Sequence, residues 1–74
     1  MKIIEHFKAL MIVKLVVIDN QNNSEIYSEE HKLQDLKSLN DLAELIANRI
    51  IELEQSYPPE KYSIEQIIYY NDEN

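Results

Sequence analysis

From Ser38 to Tyr57 apolar side chains recur at spacings of three and four. On a helix of 3.6 residues per turn, Leu39, Leu42, Ile46, Ile50, Leu53 and Tyr57 therefore form a single stripe. Asp41, Glu44, Asn48, Glu52 and Gln55 fall on the opposite face, which carries three carboxylates and no basic residue. Both ends are marked. Ser38 or Asn40 can accept a hydrogen bond from the first free amides, and Asp41 or Glu44 places negative charge where the helix dipole favours it. Pro58 and Pro59 stop the helix at Tyr57, because a residue before proline is pushed out of the α region and proline has no N–H to donate.

The remaining apolar positions read as strands. From about Ala9 to Ile18 the chain is apolar on both faces and rich in β-branched residues, namely Val13, Val16, Val17 and Ile18, as expected of a central strand. Lys14 interrupts this run, and its stem can lie along apolar surface while the amine reaches water. Residues 1–11 fit either a short helix or an earlier start of the strand. Asp19 to Ser24, DNQNNS, reads as a turn in which asparagine must supply any positive φ, since the chain has no glycine. Glu25 to Glu29, EIYSE, returns as a short polar edge strand. His31 to Lys37 connects, with a helical turn that tucks Leu33 and Leu36 toward the core, and Tyr62 to Tyr70, YSIEQIIYY, is a third strand. Asn71 to Asn74 reads as a frayed tail.

The order strand, strand, helix, strand predicts an α+β fold of β-β-α-β topology. Its three-stranded antiparallel sheet has order 2-1-3, with one long helix on one face. The other face would expose Leu10, Ile12, Val16 and Ile18 unless the first few residues, as a helix, or a second copy of the chain covers it; a homodimer with these four at its interface is expected.

At 74 residues the chain is one small domain, 1–74, near the lower limit for a self-supporting core. It contains no cysteine, which excludes disulfides and thiolate metal sites and points to a reducing cytoplasm. Its longest apolar run is too short to span a bilayer, so a soluble, untargeted protein is expected. Charge changes the picture more. Fourteen Asp and Glu against seven Lys and Arg give a net of −7. Lys2, Lys8 and Lys14 lie in the first fourteen residues against Glu5, so the rest of the chain is more acidic still. Such a surface repels nucleic acid and anionic membranes and attracts basic proteins.

Candidate chemistry is sparse. Asp19, Asn23 and Glu30 match positions 1, 5 and 12 of a calcium loop, but Ser24 stands where that loop needs glycine and strands flank it, so no metal is expected. His6 and His31 have no nucleophile beside them, and Asp41 and Glu44 lie on an outer helix face. No glycine loop cradles a phosphate, and an enzyme or a cofactor site is not expected. The five tyrosines outnumber the single Phe7 and offer rigid contact area. Tyr57 is assigned to the core, while Tyr69 and Tyr70 point to opposite faces of a strand.

A small acidic domain without glycine or cysteine, rich in Asn and Ile, carries carboxylates on a helix face (Asp41, Glu44, Glu52) and in a hairpin (Asp19, Glu25, Glu29, Glu30). In this composition it resembles bacteriophage-encoded DNA mimics. Members of that class block host DNA-binding proteins such as the nucleoid HU protein, uracil-DNA glycosylase or CRISPR nucleases. The resemblance implies a non-enzymatic inhibitor of a basic host protein, acting in the host cytoplasm, with those seven acids as the binding residues. Glu44 and Glu52 would lie about 12 Å apart along the helix axis. An adaptor or antitoxin-like interaction module without DNA mimicry is the alternative.

Overall fold

A computed structural model describes residues 11–70. Strand β1 (Met11–Asp19) and strand β2 (Ser24–Lys32) are followed by a 3-10 turn (Leu33–Asp35), helix α1 (Leu39–Ser56) and strand β3 (Tyr62–Tyr70). The strands form one antiparallel sheet in the order β2-β1-β3, which is the expected topology. The two readings of the N-terminal segment, Leu10 and the tail from Asn71 onward lie outside the described residues.

Local chemistry explains each junction. Asn23 takes φ of 59°, supplying the left-handed residue that the hairpin needs. Its N–H donates to the Asp19 carbonyl at 2.7 Å, and the Gln21 N–H donates to the Asp19 carboxylate at 2.9 Å. Ser38 caps α1, its hydroxyl oxygen accepting from the Asp41 N–H at 3.2 Å. At the other end the Tyr57 N–H closes on the Leu53 carbonyl at 2.7 Å. The Pro58 carbonyl then accepts from the N–H groups of Lys61 and Tyr62, turning the chain into β3.

Val13 and Leu15 of β1 meet Leu42, Ile46 and Leu53 of α1 and Leu33 of the connector in one buried cluster. Leu15 and Val17 are completely buried. Leu36, Ile50, Tyr57 and Ile64 pack around this cluster, and Tyr57 stands between Tyr27, stacked at 6.1 Å, and Tyr62, edge-on at 5.4 Å.

Two expectations change. Strand β2 is longer than Glu25–Glu29 at both ends, and its register shifts by a bulge opposite Val17 and Ile18. The far sheet face also differs from the expected dimer surface. Ile12 and Val16 are only 5% and 4% exposed within the single chain, so they have little area to offer a second copy. Val16 lies between Ser28 and Glu65, and Ile12 between Lys32 and Tyr69, so the flanking strands wall both residues on two sides. Ile18 is half-buried.

Candidate partner-binding surface

Along β2 the positions that face the helix are polar: Tyr27, Glu29 and His31 lie opposite Val17, Leu15 and Val13. Polar groups turned toward a core need partners, and Glu29 collects them. Its carboxylate accepts from Arg49 Nη2 at 2.6 Å and Arg49 Nε at 2.8 Å, a two-pronged pair across 20 residues of sequence. The Tyr27 hydroxyl donates to it at 2.7 Å, and His31 Nε2 lies 2.7 Å away. Arg49 also reaches along its own helix to Glu52 at 2.6 Å, so one guanidinium ties two carboxylates.

The electrostatic consequence is clear. Hydrogen bonds from Arg49, aided by those of His31 and Tyr27, outweigh partial burial and hold the Glu29 carboxyl at about 2, well below its ordinary 4.5. The hydrogen bonds to Glu29 and then Glu52 raise the Arg49 value. Donating to Glu29 raises the Tyr27 phenol, and donating to Glu30 raises that of Tyr69. With its side chain only 12% exposed and its lone pairs engaged, Glu29 is a locked anion and a poor proton acceptor near neutral pH. The cluster therefore reads as a clamp that holds α1 against β2.

The seven acids singled out in the sequence do not form one group. Glu29 and Glu52 come together through Arg49. Glu30 projects to the far sheet face opposite Lys14 and accepts from the Tyr69 hydroxyl at 2.6 Å. Glu25 lies opposite Ile18 and is exposed, and Glu44 is exposed on α1. Asp41 sits in the first helical turn, and Asp19 builds the hairpin turn. Sequence reading missed Arg49. It is the helix's sole basic residue, three positions after Ile46 and four before Leu53, and so adjoins the apolar stripe.

The other flank of the helix differs in kind. Leu39, Ala43, Ala47 and Ile50 face Gln66 and Ile68 of β3 across a cavity of about 280 Å³, with Met11 and Val13 at its floor. Leu39 is 58% and Ile68 48% exposed.

No cluster of His, Asp and Glu suited to a metal ion occurs among the described residues, and no helix there is long and apolar enough to cross a membrane. Comparison with protein-family models, with curated proteins and with solved structures finds no match.

Proposed function

We propose that this is a non-enzymatic acidic protein that binds a basic, DNA-binding protein and competes with DNA for it, through the side of the molecule formed by β2 and the adjoining flank of α1. The supporting observation is the distribution of charge. Glu25 and Glu30 lie on β2 and Asp41 and Glu44 on α1, the two elements that the Arg49–Glu29 pair holds together, while the chain's net charge is −7. Opposite charge steers encounter and fixes register on a basic cleft. Glu52 contributes less than the sequence suggests, since Arg49 already neutralises part of it.

Competition for a basic partner with labelled duplex DNA, at about 50 and about 300 mM salt, tests this reading. Displacement should be strong at low salt and should fall steeply at high salt. Changing Glu25 and Glu44 to Gln and Asp41 to Asn should abolish it without altering the fold. A triple variant that still displaces DNA overturns the proposal. The apolar cavity beside β3 favours a second reading, an adaptor that binds through hydrophobic contact, and binding indifferent to salt would establish it.

A further inference from the structure

We propose that two copies of this chain join edge to edge, β3 against β3, antiparallel across a twofold axis at Gln66, making one continuous six-stranded sheet. The backbone argues for it first. The Asn20 N–H donates to the Lys61 carbonyl at 3.0 Å, so the Lys61 carbonyl points toward β1. Antiparallel alternation gives Ser63, Glu65, Ile67 and Tyr69 the same direction, and turns the N–H and C=O of Ile64, Gln66 and Ile68 outward. Among the described residues no strand lies beyond β3. An open row of this kind is a template for another strand.

The side chains make that strand a second copy. About an axis at Gln66, Ile64 meets Ile68 of the other copy, and Gln66 meets its own equivalent. Glu65, the one charged residue between Tyr62 and Tyr70, meets Ile67 and not another carboxylate. The contact is self-complementary, as a twofold interface requires. On the helix side the same axis brings the two apolar flanks together, so Leu39, Ala43, Ala47 and Ile50 of each copy close over the cavity at Ile68. A nine-residue strand is about 30 Å long at about 3.4 Å per residue. The sheet-plus-helix layer adds a depth of about 15–20 Å. The footprint is then roughly 450–600 Å² per copy, a total of roughly 900–1,200 Å², which spans the roughly 1,000 Å² that a specific interface needs. This surface is separate from the acidic side, so failure here leaves the partner-binding proposal standing.

The chain lacks cysteine, and introduced thiols therefore report cleanly. Gln66→Cys should form a disulfide-linked dimer under mild oxidation at least about tenfold faster than Ile18→Cys on the far sheet face. An axial pair sits about 5.5 Å apart at Cα, within disulfide reach. Light scattering of the unmodified protein at micromolar concentration should give twice the chain mass. Gln66→Pro should give the monomer mass with unchanged circular dichroism, because the N–H it removes points away from β1. Ile67→Pro removes an N–H directed at β1 and should unfold the chain. A monomer mass for the unmodified protein, a dimer that survives in Gln66→Pro, or faster crosslinking through Ile18→Cys each overturns the proposal. If Gln66→Pro does not fold, the ratio of crosslinking rates decides alone.

Discussion

The two edge strands have the same length and both pair antiparallel with β1, yet they present opposite chemistry. Strand β2 carries Glu25, Glu29, Glu30 and Lys32 and a bulge, features that blunt an edge against strand addition. Strand β3 carries Glu65 alone among charged residues and keeps an unbroken register with β1. The helix repeats the division. Arg49 and Glu52 lean to the β2 side, and Leu39, Ala43, Ala47 and Ile50 to the β3 side. Backbone geometry alone would make both edges equally adhesive. Side-chain chemistry closes one to strands while arming it with charge, and leaves the other apolar and open.

Leu15 is where the two sides meet, with Glu29 on one neighbouring strand and Gln66 on the other. It is completely buried, so Leu15→Ala should cost about 2–5 kcal/mol and undo both edges together. Chemical denaturation followed separately through the β2 side and the β3 side should give one coincident transition. Two separate transitions would mean that the edges are independent units.

The next largest effect belongs to the acidic side alone. The Glu29 carboxyl is held at about 2 in the folded chain against 4.5 ordinarily, so the folded form binds this proton less tightly. Its contribution to stability is whole above about pH 4.5 and is lost as pH falls toward 2. One pKa unit is about 1.4 kcal/mol, which sets the loss at no more than about 3.5 kcal/mol. Stability measured across that range should fall in the native chain and fall less in Glu29→Gln. Parallel curves for the two would remove the clamp from the account of this edge. Asn23→Ala, at the left-handed turn that leads into β2, should cost about 1 kcal/mol, and Asn23→Gly should be nearly neutral. Thermal unfolding resolves the two.

The β3 side was the more legible in the sequence. YSIEQIIYY spans the observed strand, and the stripe from Leu39 to Tyr57 together with the proline stop marks the helix to within a residue. The sheet order followed from the apolar character of β1 and the direction of each connection. The β2 side was read short because its helix-facing positions are Tyr27, Glu29 and His31, which give no alternation of apolar and polar residues. They face inward because Arg49 satisfies Glu29, and a pair 20 positions apart leaves no periodic trace. The acids were legible as a composition, but composition does not show which of them share a base or build a turn.

The smallest effect on stability is expected at Ile68, and it tests the comparison most directly. Ile68 is 48% exposed at the open edge, so little of its area contributes to the core of a single chain. Ile68→Lys should therefore change the subunit's stability by no more than about 0.5 kcal/mol, measured at a concentration low enough to hold it monomeric. The same lysine should suppress self-association at high concentration, because it sets a cation beside the open backbone of β3. Glu30→Ile is the mirror experiment on the other edge. It removes a charge from β2 but leaves the bulge and Glu25, so association should rise only slightly. If Ile68→Lys costs as much as a core substitution, the isoleucine belongs to the subunit and the edge is not open. If Glu30→Ile makes the protein associate as strongly as is proposed for the β3 edge, charge alone separates the two edges and the bulge does nothing.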